Sequence, residues 1–372
     1  MKRLAIVSTH PIQYNAPLFR MLASDPRTSV HVFFTKEEKE FRHDAEFDRD
    51  VTWDISLTDG YPHSTQPCNT AGQRKRLVQS IEEFAPDAIL IYGWNPPGHL
   101  ACMRHFSGRI TVWFRGDSIL DSGARGWKRW GRRLGLRWVY RHVDRAFYVG
   151  QRNREYFLWA GMNEGQLTLA PHAVDADFFT RDDAARQEEA LSIRADMGIP
   201  ESDTVFLFAG ELNANKQPTP LAEAFLEMLA DNAPDAHLIF VGSGPQETEL
   251  RKRFEEHVRI HFVGFQNQSR MPIWYRVADI LCLVSISETW GLAVNEALLC
   301  GCRILASDSV GCVPDLVMDR SQHAIVPPDQ PGLWPEALTA LTAEAAQSND
   351  PYVGPLNSVR DTLLDHLHHE AA

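Results

Sequence analysis

Apolar positions along the chain alternate between two textures. Short aliphatic and β-branched runs stand at "RLAIVST" (3–9), "VHVFFT" (30–35), "AILIYG" (88–93), "ITVWFRG" (110–116) and "RAFYVG" (145–150), lengths that suit strands and are too short for helices. Stretches of helical period lie between them, at 14–24, 74–84 and 126–142. The second half repeats the alternation, with strands predicted at 204–210, 237–242, 260–264, 279–285 and 302–308 and helices near 218–231, 245–256, 270–277 and 292–300. Continuous apolar strands between amphipathic helices are the mark of βαβ units, so two successive sets predict an α/β chain of two doubly wound parallel-sheet domains. Over 170–190 Pro, Asp and Ala replace the apolar period, which places the domain junction there. The expected division is 1–172, 173–352, and a C-terminal helical segment 353–372 that can cross back to the first domain. Open parallel sheets bind ligands beyond the carboxyl ends of their strands, so two such domains facing each other predict one ligand cleft.

Composition narrows the function. With 372 residues and 44% hydrophobic content the chain suits a folded protein of two domains, and it has no apolar run of about 18 residues. The expected setting is cytoplasmic, with any membrane contact peripheral at the inner membrane surface. The cysteines at 68, 102, 282, 300, 302 and 312 lack paired metal or redox spacing and read as reduced structural residues. A net charge of -12 argues against nucleic acid as a partner. One segment, 124–145, runs against that balance: "ARGWKRWGRRLGLRWVYRHVDR" is rich in arginine with Trp127, Trp130 and Trp138 interleaved. It reads either as a surface for anionic lipid head groups or a lipid-linked phosphate, or as a helix with Trp and Leu in the core and Arg in solvent. His366, His368 and His369 near the end read as a solvated helix end rather than a metal site.

The stretch "SETWGLAVNEALLCG" (287–301) carries the chemistry. A strand ends, a polar turn follows and a helix begins near Gly291, whose amide, with those of Leu292 and Ala293, lacks an intrahelical partner. Such a helix start binds anions, and the absence of a Cβ at Gly291 permits close approach of a diphosphate. Glu288 and Glu296 lie on either side, each suited to accept hydrogen bonds from hydroxyls of a ligand held by its diphosphate. "THPIQYN" after the first strand lacks the glycine pattern of a dinucleotide site, which argues against a dehydrogenase. His10 and Asp117 follow predicted strands and so belong at carboxyl ends; "RGDS" (115–118), at the second of these ends, reads as no adhesion motif.

The segments "FAGELNANKQP" (208–218), "LIFVGSGPQETEL" (238–250), "VGFQNQSRMPIWYRVADILCLVS" (263–285) and 287–317 together resemble the retaining glycosyltransferases of family 4, the glycosyl transferases group 1. "STHPIQYNAPLFRMLA" (8–23), "FRGDS" (114–118), 143–161 and 169–179 extend a weaker resemblance through the first half. The resemblance implies a GT-B fold of two Rossmann-like domains, acceptor-side then donor-side. It implies transfer of a sugar from a nucleotide diphosphate sugar, expected to be a UDP-sugar, to a hydroxyl of a glycan or lipid-linked glycan precursor, with retention and with neither metal nor cofactor. Glu296 would bind ribose, Glu288 the donor sugar, the Gly291 and Leu292 amides the diphosphate, and Lys216 the β-phosphate. Phe265 and Gln266 would read the base, and Gly210 would line the donor site. Lys216, Glu288, His10 and Asp117 are the catalytic candidates. The turn "GSGP" (242–245) serves this site or merely joins a strand to a helix.

Two positions depart from the family. Val284 replaces a common Pro with little consequence. Glu211 stands where a basic residue commonly clamps the diphosphate, and a carboxylate about 4 Å from a phosphate costs on the order of 4 kcal/mol at an effective dielectric near 20. Glu211 must point away or another cation must intervene, with Arg115 and Arg270 as the candidates. Two other readings use the same donor contacts: a nucleotide-sugar epimerase of the same fold, and a sugar-nucleotide binding protein without turnover.

Overall fold

The computed structural model describes residues 1–36, 43–44, 49–50, 53–120, 127–232, 235–318, 322–343 and 352–369. The start of the basic segment, 124–126, lies outside them. The chain forms two compact units. One comprises Met1–His43, Ser56–Ala173 and Pro355–Ala372; the other comprises Asp44–Ile55 and Val174–Gly354.

Each unit is a doubly wound parallel sheet, as the alternation of apolar runs predicts, and together they make the GT-B fold class. In the first unit the strand order is His63–Thr65, Thr28–Phe34, Lys2–Ser8, Ala88–Tyr92, Thr111–Arg115, Arg145–Tyr148, Leu167–Leu169. In the second it is Ile260–Gly264, Ala236–Val241, Thr204–Ala209, Ile280–Leu283, Arg303–Ser307, Ala324–Val326. The first strand of each unit pairs on both sides: Ile6 lies opposite Val32 and Leu90, and Phe206 opposite Leu238 and Ile280. The order of strands reverses at that point, which opens a crevice beyond the carboxyl ends of Thr204–Ala209 and Ile280–Leu283. Within the two large sheets the sequence pattern missed three strands, His63–Thr65, Leu167–Leu169 and Ala324–Val326, which are three residues each at sheet margins and too short to show a period; it also missed the two-residue pair His43–Asp44 and Arg49–Asp50.

Residues 176–180 and 183–196 are helical where loss of apolar periodicity had suggested a junction. The reason is that this part of the chain is held largely through arginine. The buried Arg194 donates to the Val277 carbonyl at 2.8 Å and pairs with Asp279 at 2.8 Å, while Arg276 donates to Asp183 and to the Phe179 carbonyl. Helix Leu356–His369 packs into the first unit's core, its Leu356, Val359, Leu363, Leu364 and Leu367 joining Leu4, Ile6, Phe19 and Leu22. His366 stands edge-on to Phe147 with ring centroids 5.6 Å apart and shares a 3.3 Å hydrogen bond with Thr168.

A buried histidine fastens the first unit's strand ends. His99 Nδ1 lies 3.0 Å from the carbonyl oxygens of Tyr92 and Gly93, so this nitrogen carries the proton, and Nε2 accepts from the Thr35 hydroxyl at 2.9 Å. Burial lowers its pKa from 6.5 to about 4, so the unfolded chain takes up a proton near pH 6.5 that the folded chain refuses until about pH 4. Stability from this group is therefore intact above pH 6.5 and lost as pH falls toward 4. Between pH 7 and pH 5 the wild type should lose about 2 kcal/mol more than His99→Asn in urea unfolding. Parallel pH dependence in the two proteins would show that this ring does not titrate on unfolding.

Candidate active site

The second unit's crevice is built by two loops sewn together. The Asn215 carbonyl accepts from the Ile286 amide at 2.7 Å, and its side chain donates to the Ser287 carbonyl at 2.9 Å and accepts from the Ser287 amide at 3.1 Å. Gln217 has a left-handed φ of 56°, which costs a non-glycine residue about 1–2 kcal/mol. Its carboxamide offsets this by donating to the buried Val284 carbonyl at 2.8 Å and to the partly buried Pro328 carbonyl at 3.0 Å. Lys216 lies between these two anchors. Its amide is bonded to Asn213 Oδ1 at 2.9 Å, and its Nζ forms an ion pair with Glu288 Oε2 across the crevice.

Glu288 is equally constrained. It bridges in parallel to Val310, its carbonyl accepts from the Gly311 amide at 2.9 Å, and the Trp290 carbonyl accepts from Cys312 at 2.9 Å. The helix then runs Leu292–Leu299, with Gly291 at its N-cap and no side-chain cap; the Val294 amide donates to the Gly291 carbonyl at 2.9 Å, and the Leu292 and Ala293 amides stand ahead of it at the helix start. Gly291 has φ +97°, and a Cβ there would lie 2.8 Å from a Leu283 methyl and 2.9 Å from a Val310 methyl. Its requirement for glycine thus comes from its own backbone and its packing against the strand ends, a different reason from the ligand clearance inferred from sequence. Trp290 is buried, and its indole N–H donates at 2.8 Å to Asn295, which in turn donates to the Tyr352 hydroxyl at 2.6 Å.

Glu296, a buried residue 3% exposed, accepts from the Tyr275 hydroxyl at 2.6 Å and from Gln268 Nε2 at 3.0 Å. A carboxylate has about four lone-pair sites, so these two donors orient it without exhausting its acceptor capacity. Gln268 belongs to the loop after Ile260–Gly264 that also contains Phe265 and Gln266, both partly exposed. The excursion Asp44–Ile55 reaches this loop: Ser269 donates through its amide to Asp54 at 3.2 Å and also through its hydroxyl.

The glycine turn resolves as packing. Gly242 has φ 144°, and a Cβ there would lie 1.8 Å from the Gly210 carbonyl oxygen; at Gly244 it would lie 2.7 Å from the Leu212 amide. The two glycines let segment 242–246 cross segment 210–212 closely enough for Leu212 to donate to Ser243 and accept from Gln246, both at 2.9 Å. Glu211 accepts from the Asn213 carboxamide within its own turn. Arg270 pairs with Glu189 at 2.6 Å. Arg115 lies in the first unit, buried, where it donates to the Ala170 and Pro171 carbonyls at 2.6 and 3.0 Å, and burial lowers its pKa. Both clamp candidates thus have protein partners of their own.

In the first unit, His10 follows the strand Lys2–Ser8, its Nδ1 3.0 Å from the Thr9 hydroxyl. Asp117 lies two residues beyond Thr111–Arg115 and 3.9 Å from His172, whose pKa is lowered chiefly by burial. His172 carried no sequence signal of its own, and neither did Tyr275, Gln268 or Asn295, because an isolated polar residue in a loop or an apolar helix acquires meaning only from what it meets. Among the described residues no group of three or more His, Cys, Asp or Glu is placed to hold a metal ion.

Residues 190–351 match the family Glycosyl transferases group 1. A D-inositol 3-phosphate glycosyltransferase of Xylanimonas cellulosilytica is 28% identical over 193 residues, 50% of this chain and 45% of the relative. The chain thus spans about half the length of the curated relatives it matches. Among solved structures, Anabaena Alr3699/HepE in complex with UDP and glucose is similar with a TM-score of 0.67 at 16% identity, covering 99% of this chain and 100% of the other. The UDP-GlcNAc 2-epimerase of Methanocaldococcus jannaschii is similar with a TM-score of 0.61 at 15% identity, covering 99% and 100%. At such identities the likeness is one of fold, and the fold accommodates a transferase and an epimerase alike.

The packing reason for Gly291 predicts that Gly291→Ala destabilises the second unit by about 2–4 kcal/mol, from left-handed strain together with overpacking against Leu283 and Val310. Chemical denaturation measures this in the ligand-free protein. Unchanged stability would return the glycine to the role of ligand clearance.

Proposed function

We propose, from the membership of residues 190–351 in the glycosyl transferases group 1 family, that the protein transfers a sugar from a nucleotide diphosphate sugar to a hydroxyl of a glycan or lipid-linked glycan precursor. The observation that carries this reading is the Lys216–Glu288 ion pair held across the strand-order reversal beside an uncapped helix start. Without donor, each charge neutralises the other. With donor, the diphosphate takes the ammonium and the Gly291 and Leu292 amides, and Glu288 turns to hydroxyls of the donor sugar. Glu296, set by Tyr275 and Gln268, accepts from the ribose, while Phe265 and Gln266 face the base. A UDP-sugar is the proposed donor.

In the reaction the anomeric carbon–oxygen bond to the β-phosphate breaks and the acceptor oxygen bonds to that carbon. The acceptor proton passes to the departing phosphate on the same face, which accounts for retention without a pair of carboxylates at glycosidase spacing. Lys216 and the helix start stabilise the charge growing on the leaving group. His10 and Asp117, at strand ends of the first unit, are proposed for the acceptor side. The setting is cytoplasmic, in peripheral contact with the inner membrane surface. An epimerase is the second reading, kept because the fold likeness embraces one; donor incubated without acceptor would then yield an epimer rather than slow hydrolysis.

Calorimetry with UDP, GDP, ADP and their sugar conjugates in EDTA tests the donor site. Binding of one nucleotide family supports it and identifies the base; no binding by any of them refutes it. Lys216→Ala should lower kcat by about 10²–10³ with little change in thermal stability, and an equal loss of both would make it a structural lysine. Glu296→Gln retains volume and should weaken nucleotide binding about tenfold; unchanged affinity removes its ribose role.

A further inference from the structure

Helix Trp127–Tyr140 is anchored on one side only. Leu136, Val139 and Tyr140 are buried, whereas every residue from Trp127 to Gly135 is exposed. The back of the overhanging part is tied to helix Gln151–Trp159: Arg129 lies over the Trp159 ring, 5.6 Å from its centroid, and Arg133 Nε donates to the Trp159 carbonyl at 2.8 Å. On the opposite face stand Trp127, Trp130, Leu134 and Trp138, at spacings of three, four and four that align along one helical stripe. They are 81, 65, 55 and 39% exposed. Apolar residues of this size, ordered along one stripe and turned away from the core, are an interaction surface rather than scattered surface residues. The alternative in which these tryptophans fill the core does not hold.

Charge identifies the occupant. Lys128, Arg129, Arg132, Arg133, Arg137 and Arg141 accompany the stripe, and no Asp or Glu occurs from 127 to 143 in a chain of net charge -12. A second copy meeting the same face would set like charges together, so self-association is disfavoured. Tryptophan beside arginine suits the junction of anionic head groups and acyl chains, where an indole is half solvated and a guanidinium meets phosphate. Trp138 differs from the rest of the stripe: Arg104 and Arg141 lie over its ring at 5.6 and 5.5 Å from the centroid, which caps it with charge.

We infer that the outer face of this helix docks on an anionic phospholipid surface. Trp127, Trp130 and Leu134 enter below the head groups, and Trp138 stays at the rim beneath its two arginines. The inference concerns the first unit alone and does not depend on the donor chemistry proposed for the second.

Flotation of the full-length protein with vesicles of phosphatidylcholine alone, or with phosphatidylglycerol at three parts in ten, tests it without any activity assay. Expected are binding to the anionic vesicles alone, several-fold weaker in 0.5 M salt, and a loss of at least tenfold in Trp127→Ser/Trp130→Ser with an unchanged melting temperature. Trp138→Ser should change binding by no more than about twofold, and Lys128→Gln/Arg132→Gln should reduce it several-fold without touching the Trp159 contacts. Absence of wild-type flotation, or flotation that the double tryptophan variant leaves intact, overturns the inference. So does a wild-type dimer in sedimentation that the double variant dissociates, since the stripe would then join two copies.

Discussion

The second unit's site depends on keeping a lysine and a carboxylate face to face at the ends of two neighbouring strands. Neither loop does this alone. Asn215 and Gln217 each bond to the loop that follows Ile280–Leu283, so the backbone on both sides of Lys216 is fixed to the backbone leading to Glu288. The left-handed backbone of Gln217 is offset by the two carbonyls, of Val284 and Pro328, that accept from its side chain. An ion pair whose two backbones are fixed in this way can exchange a partner with little rearrangement of the chain.

Polar residues within an apolar helix take the same logic further. Asn295 and Glu296 sit in Leu292–Leu299, where burial of an unbonded amide or carboxylate would cost several kcal/mol. Each is satisfied by a side chain from another element: Trp290 and Tyr352 for Asn295, Tyr275 and Gln268 for Glu296. Asn295 thereby pins the turn before the helix, and Glu296 is oriented by the loop that follows Ile260–Gly264 and by Tyr275. The contact of Asp54 with Ser269 brings an early part of the chain to that same loop.

The first unit contrasts two uses of arginine. Arg115 is buried against the carbonyls of Ala170 and Pro171 and closes the segment that follows the last strand. In helix Trp127–Tyr140, arginine instead brackets exposed tryptophan. A guanidinium bonded to backbone oxygens acts as a structural cross-link, whereas Arg104 and Arg141 stack over the partly exposed ring of Trp138.

The sequence by itself determined the alternation of apolar strands and helices, and with it two doubly wound sheets, because strands buried on both faces must be written as continuous apolar runs. It also marked Glu288, Gly291 and Glu296, since a helix start after a strand end has a local signature, whereas Lys216 came only from the family resemblance. It could not mark the three-residue strands at the sheet margins, which owe their conformation to a neighbour, or the helix Asp183–Asp196, held by Arg194 and by Arg276 of another helix. Only the tertiary structure decided which polar residues surround Glu296. Tyr275 and Gln268 are separated from Glu296 by 21 and 28 positions, and nothing local ties them to it. It decided likewise that the glycines of the 242–245 turn serve a chain crossing and that the tryptophans of 127–140 face outward. A pattern of residues fixes which side of a helix is apolar; whether that side meets the core depends on where the rest of the chain packs.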